Sequence, residues 1–370
     1  MAELIASPEE VTREWLTEAL QSSGLLGSVK SFEHRDIGTG QVGRCVRFEL
    51  EVTGNLPSSV VGKFASDDPV SREAGVQRDC YSREVGFYSE LAADLPIRRP
   101  ACYFAAIDGR GPDHCLLLED LAPAKQGDQL GGCSLAVAQE GVRQLAGLHA
   151  ASWCRPGLEV FPWLGPTTSE AARHDLAQSH ALRRHVTPGF VERYGDRLES
   201  DAIELVRRQT ENVEKLDVAC GLGLSQRSAE ADDPPFSLVH GDFRLDNLLI
   251  DERDAAPTVA VVDWQTVRRG VPLSDLAYFL GASLTTEIRR QEEQSLFELY
   301  CSALSRRGVE LPDHDLLWHE YRRGSFAGLS MAVIASMIVG QTERGDEMFL
   351  AMARRHARHV LDLGADALLA

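Results

Sequence analysis

Residues 238–250 read LVHGDFRLDNLLI and residues 259–264 read VAVVDW, and the reading of these two stretches decides the fold. Leu238 and Val239 end one strand, and His240 to Asn247 form a polar loop. Leu248 to Ile250 make a second strand, Asp251 to Asp254 a turn, and Val259 to Val262 a buried third strand. This order predicts that Asp242, Asn247 and Asp263 converge at one end of a short hairpin. Two carboxylates and a carboxamide there suit phosphoryl transfer. One group accepts the proton of an attacking hydroxyl while oxygen ligands hold Mg2+ on the phosphates. Asp242 is the candidate base, and Asn247 and Asp263 are the candidate metal ligands. The alternative is a polar loop whose Asp and Asn only cap turns.

The DxxxxN spacing followed by a third acid is that of the protein-kinase signature, with Gly241 standing where that signature has arginine. HGDFRLDN followed by VDWQ resembles the aminoglycoside phosphotransferase and choline kinase superfamily, and more closely its ecdysteroid-kinase-like branch. Trp264 and Gln265, directly after the metal acid, point to that branch. The resemblance covers about residues 30–350 and is concentrated in HGDFRLDN, VDWQ and DLAYFL. It implies an α+β, bilobal protein-kinase-like fold with a small antiparallel-sheet N-lobe and a larger, mainly helical C-lobe. The expected division is a nucleotide-binding lobe over 1–118, a hinge over 119–125, and a catalytic and substrate-binding lobe over 126–370.

A kinase of this kind needs a glycine-rich cover and a lysine upstream. Residues 38–43 read GTGQVG, with glycines at Gly38, Gly40 and Gly43. The same spelling marks dinucleotide sites, but there a helix starts at the glycines. Here Val46, Phe48, Leu50 and Val52 alternate with Cys45, Arg47, Glu49 and Glu51, the period of a strand. A dinucleotide-dependent oxidoreductase is therefore disfavoured; an ordinary glycine hairpin is the remaining alternative. In the next strand, VVGKFA, Val60 and Phe64 share a face and Lys63 takes the other, aimed beneath the glycine loop as a phosphate-binding ammonium.

A helix is expected from about Ser71 to Leu91, with Glu84 in an apolar stripe beside Tyr81, Tyr88 and Leu91. The resemblance implies that Glu84 pairs with Lys63, although Glu73 lies on nearly the same face and the sequence does not choose between them. It further implies that backbone groups around Glu119 to Leu121, at the end of CLLLEDL, hold the adenine. The side chains of Glu119 and Asp120 could equally cap the segment after them. By the same resemblance, Asp275 braces the catalytic loop from below, with a plain helix cap as its alternative, and the helix ending LAGLHA at Ser134 to Ser152 buttresses it. His149 and His240 are expected to be structural, His240 tying the loop to its surroundings. The late charged residues Glu343, Asp346, Glu347, Arg354, Arg355, His356 and Arg358 lie on helices that, in the superfamily, wall the acceptor pocket.

Composition agrees with a globular chain long enough for two lobes: 370 residues, 44% hydrophobic and 25% charged. A formal charge of -18 argues against nucleic acid or an anionic membrane as partner and favours a neutral or cationic small-molecule acceptor. Eight cysteines without CxxC spacing fit free thiols and a cytoplasmic protein, not sulfur-bound metal. The first helix is expected to start with Ser7 as cap, Pro8 at its first position and Glu10 closing the box, with no secretory signal before it. Phe326 to Val339 is apolar but shorter than the roughly 20 residues that span a bilayer, and reads as a core helix. Residues 221–235 read as a surface loop. Only eleven residues separate Asp263 from Asp275, too few for a peptide platform. The expectation is therefore a kinase moving the ATP γ-phosphate to a small-molecule hydroxyl with Mg2+; the alternative is a catalytically silent nucleotide-binding or scaffolding module of the same fold.

Overall fold

The computed structural model describes residues 2–38, 42–165, 169–216 and 235–370. The chain forms two compact units: the first comprises residues 1–94, 99–123 and 261–266, and the second residues 95–98, 124–260 and 267–370. The sequence-based division differs at residues 95–98, which pack in the second unit, and more instructively at residues 261–266. The segment around Asp263, which it assigned to the C-terminal lobe, packs as part of the first unit.

The first unit opens with helix α1 (Arg13–Ser22), followed by strands β1 (Val29–Ile37), β2 (Gly43–Val52) and β3 (Ser59–Ala65). Helices α2 (Pro69–Gln77) and α3 (Cys80–Gly86) come next, then strands β4 (Cys102–Ile107) and β5 (His114–Glu119). The strands make one sheet in the order β1-β2-β3-β5-β4, antiparallel throughout. Alternation decides which face is covered: Val46, Phe48, Val60 and Phe64 are buried against Trp15, Leu16, Ala19 and Leu20 of α1. Register pairs Cys45 with Lys63 on the opposite face. Gly62, mid-strand, leaves room for two rings; a Cβ there would lie 2.8 Å from both Phe48 and Phe64.

Two helix boundaries differ from the sequence reading. Ser7 caps, but without the reciprocal bonds of a box: its Oγ accepts the Glu9 N–H while Glu10 accepts the Ala6 N–H, and the segment is only a 3-10 turn. Val11 is extended and buried, so the α-helix restarts at Arg13, capped by Thr12. The continuous helix expected over Ser71 to Leu91 is broken at Asp79, whose φ of 57° lies in the left-handed region that Asp tolerates better than most residues. The break folds the Tyr81 ring onto Gly75, where a Cβ would lie 2.6 Å away. α3 then runs on into a wider π-turn over Phe87–Leu91, and Tyr81, Glu84, Tyr88 and Leu91 are all buried.

The second unit contains β6 (Lys125–Gln126), α4 (Leu135–Ser152), α5 (Ser169–Tyr194) and α6 (Ser200–Glu211). It continues with β7 (Ser237–Val239), β8 (Leu248–Asp251), β9 (Thr258–Val261) and β10 (Arg268–Gly270). It ends with α7 (Pro272–Ser283), α8 (Thr286–Ser305), α9 (His314–Ile338) and α10 (Glu343–Asp362). β7 pairs antiparallel with β10, and a second small sheet runs β6-β8-β9. Every residue of α7 is buried, as expected of a helix apolar on nearly all sides. Phe326, Leu329 and Val333 of α9 lie in the core with α10, as the sequence reading has it. Among the described residues no helix is long and apolar enough to cross a membrane. The loop expected at 221–235 lies, up to Pro234, outside the described residues.

Candidate active site

In the first unit Lys63 is held by two carboxylates. Its Nζ lies 2.6 Å from Glu84 Oε2 and 2.8 Å from Asp263 Oδ1. Glu84, not Glu73, is therefore the partner, and it also accepts the Trp264 N–H at 3.2 Å. The Trp264 ring stacks on Phe87 at 3.8 Å between centroids, which anchors the segment carrying Asp263. Asp263 itself has φ 66°, a left-handed conformation uncommon for a side-chain-bearing residue and often found at functional sites. Gln265 donates to its other oxygen at 3.0 Å.

Burial alone would lower the Lys63 pKa, but the Asp263 and Glu84 carboxylates overcome it and hold the ammonium well above its ordinary value. Burial pushes the Glu84 carboxyl up, against the pull of Lys63. Gly43 begins β2 directly over this ammonium: a Cβ there would lie 3.1 Å from Lys63 Cε and 3.3 Å from the Phe64 carbonyl. Gly38 has φ 74°, the region where glycine is favoured. Gly40 lies outside the described residues. At the end of β5 the acids are spent locally. Glu119 accepts the Ala101 N–H, and Asp120 accepts from Ala122 N–H and Arg47. Leu121 is half-buried just beyond them.

In the second unit the loop after β7 is held from below. Asp275, in the first turn of α7, accepts the His240 N–H at 2.6 Å and the Gly241 N–H at 3.0 Å. Burial works against its charge, but the imidazole of His149, 3.5 Å away, holds its carboxyl below the usual range. His149 in turn meets the Tyr300 hydroxyl at 2.7 Å. His240 is buried and its Nδ1 lies 3.3 Å from the Asp242 N–H, so both histidines sit in structural roles. The loop is less polar than it reads, because Phe243 and Leu245 are fully buried and pin it.

Asp242 is engaged on both oxygens. Tyr278 donates its hydroxyl to Oδ1 at 2.6 Å, Asn247 Nδ2 donates to Oδ2 at 2.9 Å, and Arg244 Nε lies 3.1 and 3.3 Å from the two. Arg244 also reaches Asp246 at 2.6 Å. Asn247 spends its amide nitrogen on the Asp242 carbonyl and carboxylate, which leaves its side-chain oxygen as the end able to meet a cation. That oxygen is a hard donor of the kind Mg2+ takes, and the Asp263 carboxylate of the first unit is another, so each by itself suits such an ion. Asp242 and Asn247 are thus brought into contact, while Asp263 belongs with Lys63 and Glu84 in the first unit.

Three residues of the site escaped the sequence reading. Arg244 and Tyr278 are the cation and the hydroxyl on Asp242. Gln129, wholly buried, donates to the Ala282 carbonyl at 2.8 Å and accepts the Leu245 N–H at 3.0 Å, tying the loop to the end of α7. The available signals were a hydroxyl three residues after Asp275 in an apolar run and the arginine two after Asp242. Most of the late charged residues brace packing. Arg355 donates to the Gln129 and Ala282 carbonyls, Arg358 pairs with Asp201, Asp346 accepts from Tyr194, and Glu347 pairs with Arg197.

An antiparallel sheet carrying a lysine–glutamate–aspartate cluster, and a helical unit carrying an aspartate–asparagine loop, define a protein-kinase-like α+β fold. The chain belongs to the ecdysteroid kinase-like family, whose model matches residues 42–311. Among solved structures it is similar to choline kinase from Cryptosporidium parvum Iowa II, at 11% identity and TM-score 0.53, covering 90% of this chain and 89% of that one. It is also similar to a putative aminoglycoside phosphotransferase from Ralstonia eutropha JMP134, at 15% identity and TM-score 0.51, covering 95% and 98%. Among curated proteins it is 33% identical over 135 residues to acyl-CoA dehydrogenase family member 11 of Rattus norvegicus. That match spans 31% of this chain and only 16% of the relative.

Proposed function

We propose that the protein is a small-molecule kinase that transfers the γ-phosphate of ATP to a hydroxyl of its acceptor with Mg2+. The observation that carries this reading is the Lys63 ammonium held between Glu84 and Asp263. A buried cation pinned by two acids beneath Gly43 has little structural purpose, since apolar residues of like volume serve stability as well or better. In this reading Glu84 orients Lys63, and Lys63 binds the α- and β-phosphates. The backbone at Gly38 to Gly43 covers the phosphates, and main-chain groups near Glu119 and Leu121 hold the adenine. Asn247 and Asp263 hold Mg2+, which when bound neutralises phosphate charge. Asp242 takes the acceptor's proton as the acceptor oxygen bonds to phosphorus, and the β–γ bridging bond breaks with its electrons leaving on ADP. Asp275 and His240 keep the loop in shape. The acidic chain favours a neutral or cationic acceptor.

The dehydrogenase in the rat relative's name is not carried over. The match covers 16% of that protein, and here Gly43 opens a strand instead of a helix as a dinucleotide site requires. A second reading, a nucleotide-binding module without turnover, draws on one observation: Arg244 lies against the candidate base. A phosphate-transfer screen over sterols, aminoglycosides, macrolides, choline-like amines and sugars separates the two. Transfer lost in Asp242→Asn supports the kinase. Tight ATP binding with no transfer to any acceptor or to water supports the silent module.

A further inference from the structure

One helix face meets both ends of the His240–Asp242 tripeptide. Asp275 takes its backbone N–H groups, and Tyr278, one turn further along α7, takes the Asp242 carboxylate through its hydroxyl at 2.6 Å. Tyr278 is 3% exposed, and burial together with the Asp242 charge pushes its pKa well up, so it keeps its proton and acts as donor.

Behind the tyrosine lies a side chain that the reaction does not use. His356 of α10 is wholly buried and stacks on the Tyr278 ring at 5.3 Å between centroids and 16° between planes. Neither of its ring nitrogens has a hydrogen-bond partner, a cost that folded proteins seldom leave in place without a reason. Burial holds it neutral. Its ring fits only because two neighbours lack a side chain. A Cβ on Gly328 of α9 would lie 1.9 Å from His356 Cε1, and one on Gly281 of α7 would lie 2.7 Å from His356 Nδ1. Three helices thus leave a niche the size of one imidazole, directly beneath the ring whose hydroxyl holds Asp242.

We propose that Tyr278 is the positioning residue for Asp242 in phosphoryl transfer, and that His356 is the buried post fixing the plane of Tyr278. This rests on the kinase reading above. With Tyr278 on Oδ1 and Asn247 on Oδ2, the carboxylate cannot rotate, and one lone pair stays aimed at the acceptor proton. Without the tyrosine hydroxyl, Oδ1 keeps only Arg244, and the carboxylate swings toward that cation.

The test uses the full chain with Mg2+ and ATP and with water as acceptor, so no acceptor need be known. Phosphate release gives kcat and calorimetry gives the ATP Kd. Tyr278→Phe keeps the ring on His356 and is expected to lower kcat on the order of 10- to 100-fold with an unchanged Kd. His356→Leu removes the orphaned nitrogens and the flat surface together. It is expected to raise the melting temperature while lowering kcat about 3- to 10-fold, a combination that a purely structural role does not produce. Unchanged kcat in Tyr278→Phe, or a His356→Leu variant that is more stable and equally active, overturns the proposal. A wild type no faster than Asp242→Asn with water and with every acceptor of the screen removes the kinase reading itself; a wild type that turns over, with Tyr278→Phe matching it, removes only this inference.

Discussion

Replacing Lys63 by methionine leaves the stem's volume but removes the charge, and the structure sets the size of the consequence. Glu84, with a side chain 3% exposed, and Asp263, 27% exposed, would then face each other across the space the ammonium occupied. Removing one partner of a buried ion pair costs about 3–5 kcal/mol, against ~1 kcal/mol or less for an exposed one. The protein can relieve this cost by protonating Glu84, whose pKa burial already raises and which would lose the cation that opposes that rise. The folded variant then keeps a proton that the unfolded chain releases near the ordinary glutamate value of 4.5. Stability therefore falls as pH climbs above that value. Urea unfolding of wild type and Lys63→Met at pH 5 and pH 8 reads this directly. The expected loss is about 3–5 kcal/mol at pH 8 and smaller by about 1–2 kcal/mol at pH 5. A loss under about 1 kcal/mol at pH 8, or one independent of pH, would refute the reasoning that the cluster is buried and electrostatically coupled.

Asp263→Asn keeps a residue that tolerates φ 66° and removes the anionic ligand, so Mg2+-dependent ATP affinity by calorimetry should weaken on the order of 10- to 100-fold. Equal affinity with and without the ion in both proteins would dismiss Asp263 as a ligand. Gly328→Ala drives a methyl into the His356 ring and should cost about 1–3 kcal/mol or more, visible as a lower melting temperature. Gln129→Leu strands the Leu245 N–H, while the Ala282 carbonyl keeps Arg355. It should cost about 1–3 kcal/mol in denaturant titration and slow turnover, because the catalytic loop loses its tie to α7.

The parts of the fold that are legible in the sequence obey local rules. The period-two alternation of β2 and β3 assigns Val46, Phe48, Val60 and Phe64 to the core and Lys63 to the opposite face, which needs no tertiary information. The spacing of Asp242 and Asn247 around a short turn brings them together for the same reason. The parts that stay hidden depend on contacts far apart in the chain. Glu84 and Glu73 share a helical face until Asp79 turns left-handed, and no propensity forces that turn on an aspartate between Arg78 and Cys80. Ser7 caps its turn as expected, but whether a capped turn grows into an α-helix depends on the burial of Val11. Tyr278 reads as one more apolar residue of DLAYFL, and Gln129 as a loop residue. Their importance lies in partners 36 and 116 residues away, respectively.

In the proposed kinase, Lys63 and Asp263 form a phosphate and cation site. The most direct measurement is a crystal structure of the protein with Mg2+ and a non-hydrolysable ATP analogue. Phosphate oxygens are expected within about 3 Å of Lys63 Nζ and the ion at about 2.1 Å from an Asp263 oxygen. A nucleotide bound elsewhere, with Lys63 still closed between Glu84 and Asp263, would contradict this assignment.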